Sequence, residues 1–274
     1  MKLKDKSIVV TGASSGMGKA IVELFAQEGG NVVAVARRKE RLDALAEELK
    51  DAPGKVVPFP ADVTLKENNE AMIDKAVEEF GKLDVLINNA GVMDDMSPMG
   101  EVTDEKYEKV MKVNVYGPMC AMRKAIQVFQ AQGNGGAIVN VSSVASLVGE
   151  DPTAAYACCK AGINALTRSV AVQYGDRGVR CNAVVPGSIL NDRILAYAKT
   201  NESVQFQFDM LKRHAPLKRF GTADDVANTV LFLVSPLACN ITGQAVVCDG
   251  GYSICSGMWA DIHEYRQDHP WDTM

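Results

Sequence analysis

The sequence predicts a doubly wound α/β fold, in which a single seven-stranded parallel sheet is covered by helices on both faces. Short runs rich in β-branched residues alternate along the chain with longer segments of helical periodicity. Such alternation favours right-handed crossovers and a parallel sheet. The strand runs are almost unbroken apolar segments, which is typical of strands buried on both faces. No repeat, low-complexity stretch or linker divides the 274 residues, so we expect one domain.

The predicted elements alternate strictly from the first strand to the last. β-Branched runs predict strands at Ser7–Val10, Asn31–Ala36, Lys55–Phe59, Leu83–Ile87, Ala137–Val141, Arg180–Val185 and Ala245–Cys248. The segments between them predict helices at Gly18–Gln27, Glu40–Leu49, Glu67–Phe80, Asp104–Gln130, Thr153–Tyr174 and Ala223–Val234. We expect the domain to span residues 1–255, with residues 256–274 as its C-terminal extension. Ligands of such folds bind at the carboxyl ends of the strands, so functional motifs should directly follow strands.

Composition and charge exclude several classes of protein. Apolar residues make up 47% of the chain, and the net charge of -5 gives no bulk attraction to nucleic acid or anionic membranes. The longest apolar runs, such as Asn31–Ala36 and Thr229–Val234, are too short to span a bilayer. Because the charged amino terminus also lacks a signal-peptide core, we expect a cytoplasmic protein with no nucleic-acid or membrane partner. The seven cysteines show no CxxC spacing and indicate reduced thiols.

A glycine-rich turn joins the first strand to the first helix. The segment from Thr11 to Gly18 reads TGASSGMG. Gly12 can form the tight turn, Gly16 lets the backbone approach a pyrophosphate, and Gly18 allows close helix packing. Unpaired N–H groups at the helix start attract the anion. The alternative is that the turn is only a tight strand–helix connection and binds no ligand. The chain has no Gly-Lys-Ser/Thr sequence after the turn, which argues against a nucleoside triphosphatase.

This TGxxxGxG spacing and the motifs that follow it resemble the short-chain dehydrogenase/reductase family. The further motifs are Asn88-Asn89-Ala90-Gly91, Asn114, Ser143, Tyr156-x-x-x-Lys160 and Pro186-Gly187, and they occur in order within residues 4–254. The resemblance implies a Rossmann-type domain that binds a nicotinamide dinucleotide and exchanges a hydride with an alcohol or ketone. By that resemblance, the residues that contact the cofactor are Gly12, Ser14, Ser15, Gly16, Met17, Asp62, Val63, Asn89, Ala90, Gly91, Tyr156, Lys160, Pro186, Gly187 and Ile189.

The end of the second strand favours NADP(H) over NAD(H). NAD-dependent enzymes usually carry an acid there that binds the ribose 2′-hydroxyl. This chain has Ala36 at that position, followed by Arg37 and Arg38. A guanidinium can bind a 2′-phosphate through charge-assisted hydrogen bonds. We therefore predict NADP(H), with Arg37 as the first candidate contact; the alternative is that both arginines only open a solvated helix.

The catalytic group is predicted around Tyr156. Tyr156 and Lys160 share one face of a predicted helix, and a nearby ammonium lowers the tyrosine pKa from about 10 toward the range useful for proton transfer. The resemblance makes Tyr156 the proton donor or acceptor and Ser143 the residue that holds the substrate oxygen, although Ser142 is an adjacent rival. It also implies that Lys160 binds the nicotinamide ribose, and that Asn114 distorts its helix and holds a water linking Lys160 to solvent.

Two cysteines and two histidines could suggest other chemistry, but we interpret them as structural residues. Cys158 and Cys159 lie between Tyr156 and Lys160, but no well-placed histidine would activate them, so we interpret both as small helix-packing residues. His263 and His269 show no spacing typical of a metal site. We therefore predict a reaction that uses no metal.

The substrate is predicted less specifically than the reaction. Leu190–Ala215 is the predicted substrate lid, and Met93, Met96 and Met99 follow the fourth strand. The apolar lid residues are Ile194, Leu195, Tyr197, Phe206, Phe208, Met210 and Leu211. Such side chains suit a bulky apolar substrate or ordinary packing. We favour a hydroxysteroid or similar secondary alcohol; a 3-oxoacyl thioester, a sugar or polyol, or a non-catalytic role as an NADPH-binding regulator are the alternatives.

A homotetramer is predicted, with a dimer as the second choice. The two longest predicted helices carry apolar residues on more than one side, and burial of the excess requires a partner. The resemblance implies that these helices pair across a two-fold axis. Trp259 and Trp271 in the C-terminal extension are expected to dock on a neighbouring subunit or at the rim of the pocket.

Overall fold

The computed structural model describes residues 1–94, 97–149, 152–190 and 201–268, apart from a few side chains in the last range. Seven parallel strands form one sheet in the order β3-β2-β1-β4-β5-β6-β7. The strands are β1 (Ser7–Thr11), β2 (Asn31–Ala36), β3 (Val56–Pro60), β4 (Val85–Asn88), β5 (Gly136–Val141), β6 (Val179–Pro186) and β7 (Ala245–Cys248). The order reverses between β1 and β4, where a ligand crevice opens in folds of this kind. The predicted doubly wound fold is confirmed.

The helices cover both faces of this sheet. They are α1 (Gly16–Gln27), α2 (Lys39–Glu48), α3 (Lys66–Phe80), α4 (Asp104–Met111), α5 (Gly117–Gln132), α6 (Ala154–Tyr174), α7 (Glu202–His214), α8 (Ala223–Val234) and α9 (Gly257–Asp268). The sequence analysis did not predict α7 or α9. None of the described helices has the length and apolar character needed to cross a membrane.

Alternate residues of each strand enter two separate cores, one on each face of the sheet. Ile8 and Val10 of β1 join one core with Phe25 of α1. Val9 of β1 points the other way and joins the second core with Phe129 of α5. Successive side chains of a strand point to opposite faces, and here both faces are covered by helices. This explains why the strands show apolar runs without polar alternation.

The prediction of one continuous helix over Asp104–Gln130 is wrong, because the helix is interrupted near its middle. α4 ends at Met111, a π-helical turn covers Lys112–Tyr116, and α5 begins at Gly117. Pro118 has no N–H to donate to the carbonyl of Asn114 four residues earlier, so regular α-helical bonding is lost there. π-Turns inside helices are rare and frequently occur at functional sites.

After β6, residues 189–221 form an excursion whose two ends meet beside the sheet. Ile189 pairs with Gly221 in a parallel bridge, and the Leu190 N–H donates to the Gly221 carbonyl at 3.0 Å. The predicted substrate lid lies in this excursion and includes α7. The lid residues Ile194, Leu195 and Tyr197 and the loop residue Met96 lie outside the described residues.

The C-terminal extension folds back onto α7 of the same chain. Arg213, near the end of α7, pairs with Asp261 at 3.1 Å and with Glu264 at 2.7 Å, both on α9. The described part of the extension therefore contacts its own lid segment; docking on a neighbouring subunit stays a prediction. The Trp259 and His263 side chains, as well as Trp271 and His269, lie outside the described parts.

Candidate active site

A cleft of about 1140 Å³ opens at the carboxyl ends of the first four strands. This volume exceeds the roughly 300–1,000 Å³ typical of small-ligand pockets, as an extended dinucleotide requires. The predicted cofactor residues that line it are Gly12, Ser14, Ser15, Gly16, Met17, Arg37, Arg38, Asp62, Val63, Asn89, Ala90, Gly91 and Ile189. The sequence analysis missed other lining residues, including Arg41, Thr64 and Leu190. The structure thus brings together residues from widely separated motifs.

The glycine-rich turn has the geometry of an anion site. Gly12 has a φ of +71°, and a Cβ there would lie 2.7 Å from Asn89 Nδ2. A Cβ at Gly18 would overlap the Gly12 carbonyl, so the close approach of α1 to the turn requires glycine. Ser15 is the N-cap of α1, but its side chain makes no capping hydrogen bond. The first N–H groups of α1 and its helix dipole therefore face the cleft, where both favour a phosphate.

Hydrogen bonds from Thr11 fix the switch point between β1 and β4. The Thr11 hydroxyl accepts from the backbone N–H groups of Asn89 and Ala90, both at 3.0 Å, and donates to the Ile87 carbonyl at 3.3 Å. The Asn89 side-chain amide donates to the Thr11 carbonyl at 2.9 Å. The segment that the family resemblance assigns to sheet support therefore joins the ends of the two central strands.

A second polar network, which the sequence analysis did not single out, lies deeper in the sheet. Asn88 donates to Asn140 at 2.8 Å, and Asn140 donates to the Thr167 hydroxyl of α6 at 2.9 Å. All three residues are buried. An asparagine within the apolar run of β5 was the available signal, since a buried amide needs a partner.

Arg38, rather than Arg37, contacts the glycine-rich turn. Its Nη2 lies 2.9 Å from Ser14 Oγ and 3.1 Å from Ser15 Oγ. Arg37 lines the same cleft without such a contact. The Asp62 pKa is lowered chiefly because its carboxylate accepts the Thr64 N–H at 2.9 Å, and the Arg37 charge contributes less. Both arginines are exposed at the start of α2, so the solvated-helix interpretation describes their location but not the Arg38 contact.

Asn114 lies at the centre of the π-helical turn and is 1% exposed. Its Oδ1 accepts the Val92 N–H at 3.1 Å, and its Nδ2 donates to the carbonyls of Val92 (2.7 Å) and Val110 (3.0 Å). The side chain thereby joins the interrupted helix to the loop after β4. The distortion implied by the family resemblance is present at this residue, whereas a water held by Asn114 stays a prediction.

Lys160 is buried beside the Tyr156 ring, with its Nζ 5.5 Å from the ring centroid. Nζ donates to the Val141 carbonyl at 2.8 Å. Burial lowers the Lys160 pKa to about 8 because the ammonium is removed from water. A Cβ at Gly91 would lie 2.9 Å from Asn114 Oδ1 and 3.5 Å from Lys160 Nζ. Position 91 is therefore close to both the asparagine and the lysine, and the lack of a side chain there lets Asn114 approach.

The two candidate serines have different surroundings. Ser142 is buried, and its hydroxyl donates to the Lys160 carbonyl at 3.1 Å. Ser143 is half-buried; its hydroxyl accepts the Ala145 N–H at 3.2 Å and, among the described residues, donates no hydrogen bond. Ser143 is therefore the serine whose hydroxyl can donate to a substrate oxygen.

The motif after β6 supports the same edge of the sheet without lining the cleft. Pro186 is the last residue of β6, and the Gly187 N–H donates to the Cys248 carbonyl at 3.1 Å. A Cβ at Gly187 would lie 2.7 Å from the Asp249 Cβ. The loop can follow this path because residue 187 has no side chain.

The two cysteines between Tyr156 and Lys160 differ in exposure. Burial raises the Cys159 pKa to about 11, so its thiol stays protonated and is a poor nucleophile. Cys159 packs against Met111, with their sulfur atoms 3.2 Å apart. Cys158 is exposed, so its interpretation as a packing residue is wrong for the single chain.

Comparisons with known proteins agree with this geometry. A family model described as enoyl-(acyl carrier protein) reductase matches residues 12–253. The chain is 35% identical over 251 residues to 3beta-hydroxysteroid dehydrogenase 2 of Eggerthella lenta, covering 92% of this chain and 96% of the relative. It is 37% identical over 254 residues to a 3-oxoacyl-(acyl-carrier-protein) reductase of Thermotoga maritima, covering 93% of this chain and 100% of the relative.

A solved structure extends the agreement to three dimensions. A short-chain type dehydrogenase/reductase from Mycobacterium ulcerans matches with a TM-score of 0.87 and 28% identity, covering 94% of this chain and 93% of the other. The residues matched by the family model run from Gly12 of the glycine-rich turn through the loop after β4 and the Tyr156–Lys160 helix. The chain therefore belongs to the short-chain dehydrogenase/reductase family of nicotinamide-dependent oxidoreductases.

Proposed function

We propose that this chain is an NADP(H)-dependent oxidoreductase that interconverts a secondary alcohol and a ketone. The observation that carries the cofactor choice is the contact of Arg38 with Ser14 and Ser15. It places a guanidinium over the turn that would bind the phosphates, and Ala36 provides no carboxylate to repel a 2′-phosphate. Opposite charge at this position favours the phosphorylated cofactor.

The side chains around Tyr156 suit proton transfer to a carbonyl oxygen. When bound, the cofactor supplies or accepts the hydride. The Tyr156 hydroxyl gives its proton to the substrate oxygen during reduction and takes one up during oxidation. Lys160 stabilises the phenolate electrostatically, and Ser143 donates a hydrogen bond as charge develops on the oxygen. A purely regulatory NADPH-binding protein would not need these three groups.

A hydroxysteroid or another bulky apolar secondary alcohol is the substrate class we favour. The Eggerthella lenta relative carries a hydroxysteroid dehydrogenase name, and Met93 lines the cleft with 54% of its surface exposed. An adaptable thioether suits an apolar ligand. The second candidate is a 3-oxoacyl thioester, which the name of the Thermotoga maritima relative supports. A sugar or polyol is the third.

One screen separates these possibilities. Purified protein is mixed with NADPH or NADH and with a steroid ketone, an acetoacetyl thioester or a keto sugar. Oxidation of the cofactor is then followed, with all substrates at the same concentration and both cofactors at the same concentration. We expect NADPH oxidation with a steroid ketone and little activity with NADH. Tyr156→Phe serves as the control that removes only the transferable proton. Cofactor binding without oxidation of any substrate would favour the regulatory alternative.

The cellular setting and assembly form part of the same proposal. All seven cysteines are free thiols in the structure, which suits a reducing cytoplasm. Helices α5 and α6 leave Met119 and Val172 exposed at 37% and 85% of their surface. A homotetramer would cover such residues by closed symmetric contacts.

A further inference from the structure

Asp94 is a buried carboxylate in the loop that follows β4. The residue is only 6% exposed. Its Oδ2 accepts a hydrogen bond from the backbone N–H of Tyr156 at 3.2 Å. Its Oδ1 is buried and has no hydrogen-bond partner in the described parts of the chain. Burial of a carboxylate costs free energy unless other groups replace its contacts with water. Here the start of α6 provides such a contact.

The N-cap residue of α6 does not cap the helix with its side chain. The helix begins at Ala154, so the N–H of Tyr156 is one of those that have no partner within the helix. The N-cap residue Thr153 makes no capping bond, and its buried hydroxyl has no partner among the described residues. The helix dipole favours an acceptor oxygen at this end, and aspartate and asparagine are about equally good caps of helix starts. Asp94 therefore supplies a cap to the start of α6 from a separate loop.

The same loop contacts the other groups that surround the tyrosine. A Cβ at Gly91 would lie 3.5 Å from Lys160 Nζ, and the backbone N–H and carbonyl of Val92 both bond to the Asn114 side chain. The four residues Gly91–Asp94 thus bond to Asn114 and to the backbone of Tyr156, and they lie close to Lys160. Because Tyr156 and Lys160 both lie on α6, a displacement of α6 relative to this loop would move the tyrosine away from the Asn114 side chain.

We infer that Asp94 is a positioning residue for Tyr156, because its carboxylate fixes the first turn of α6 against the Gly91–Asp94 loop. The kinetic consequence rests on the proposed function, whereas the structural one does not. The role requires a hydrogen-bond acceptor at the place of Oδ2. Asparagine retains an acceptor of the same shape there, and alanine retains none.

Hydrogen exchange tests the structural part without any substrate. Exchange is followed by mass spectrometry on peptides covering residues 153–160. Asp94→Ala should speed exchange at the start of α6 by about tenfold, the effect of losing a contact of about 1.4 kcal/mol. Asp94→Asn should stay within about threefold of the wild type. Asp51→Ala, which removes an exposed aspartate elsewhere, should change nothing. Unchanged exchange in Asp94→Ala would overturn the inference.

Kinetics test the consequence for the reaction. Misplacement of a catalytic group by about 1 Å can cost about 100-fold, so Asp94→Ala should lower kcat by about 10- to 100-fold while the Kd for NADPH stays within about twofold. Asp94→Asn should recover kcat to within about threefold of the wild type. An asparagine variant as slow as the alanine variant would rule out positioning through the hydrogen bond.

If Asp94→Ala does not fold, Asp94→Ser replaces it, because a serine hydroxyl falls one bond short of the carboxylate oxygens, and the same losses are expected. If the wild type reduces no ketone, the proposed function is refuted, but the exchange rates at the start of α6 still decide whether Asp94 holds that helix.

Discussion

Replacement of Arg38 by alanine should selectively reduce the use of NADPH. The Arg38 guanidinium lies 2.9 Å from Ser14 Oγ and 3.1 Å from Ser15 Oγ, so it already faces the turn where phosphates would bind. The substitution removes one positive charge and leaves both serines and α1 in place. NADPH and NADH differ only in the 2′-phosphate, so a contact to that group affects one cofactor and not the other.

The expected magnitude follows from the exposure of Arg38. A hydrogen bond to a charged group contributes about 1.5–3 kcal/mol, but solvent and salt weaken an exposed contact such as this one. We therefore expect a loss of about 1.4–2 kcal/mol. This corresponds to a decrease of about 10- to 30-fold in kcat/KM for NADPH. The value for NADH should change by less than about threefold, equivalent to about 0.7 kcal/mol.

Initial rates with both cofactors and one ketone test this expectation. Arg37→Ala is the matched control, because the adjacent residue is also exposed and carries the same charge but does not contact the two serines. Its effect on NADPH should stay within about threefold. An equal loss with NADH and NADPH in Arg38→Ala would refute a contact with the 2′-phosphate. A larger loss of kcat/KM for NADPH in Arg37→Ala than in Arg38→Ala would instead support Arg37 as the main contact of the 2′-phosphate, as the sequence predicts.

Tyr156→Phe should abolish ketone reduction while fluorescence titration gives an unchanged Kd for NADPH; turnover near that of the wild type would remove Tyr156 from the mechanism. Burial lowers the Lys160 pKa to about 8 from 10.5, so between these pH values the unfolded chain holds a proton that the folded chain has lost, and stability should rise with pH. In denaturant titrations the free energy of unfolding of the wild type minus that of Lys160→Met, which does not titrate at this position, should therefore increase from pH 8 to pH 10, and a constant difference would contradict this. Light scattering should give a homotetramer, and a mass near 29.5 kDa would contradict it.

The strands and their connecting helices could be predicted because burial on both faces produces apolar runs of a recognisable length. All predicted ends lie within about two residues of the observed ones, the usual uncertainty of helix and strand boundaries. The helix α7 was missed although its signals are present. Asn201 caps it by accepting the Val204 N–H at 3.2 Å, Glu202 stands in its first turn, and its last turn is basic. These are ordinary helix signals, but the segment was interpreted only as a lid.

The π-helical turn could not be predicted from its own segment. Pro118 indicates that a helical hydrogen bond is missing, but it does not indicate which groups hold the interrupted helix in place. The Asn114 side chain is held by Val92, 22 residues earlier in the sequence. The Asp94 contact with Tyr156 spans 62 residues in the same way. Periodicity reports which face of an element is buried, and it contains no information about pairings between distant loops.

The sequence pattern could not predict which of Arg37 and Arg38 contacts the glycine-rich turn. β2 ends at Ala36 and α2 begins at Lys39, so the two arginines occupy a two-residue connection that follows neither the strand period nor the helix period. Arg38 is the N-cap of α2, in an extended conformation, and from there its side chain reaches the glycine-rich turn. The charge of this connection could be predicted, but the direction of each side chain depends on where the strand ends. The argument for NADP(H) does not depend on that order, because both arginines line the cleft and neither neighbours an acid at position 36.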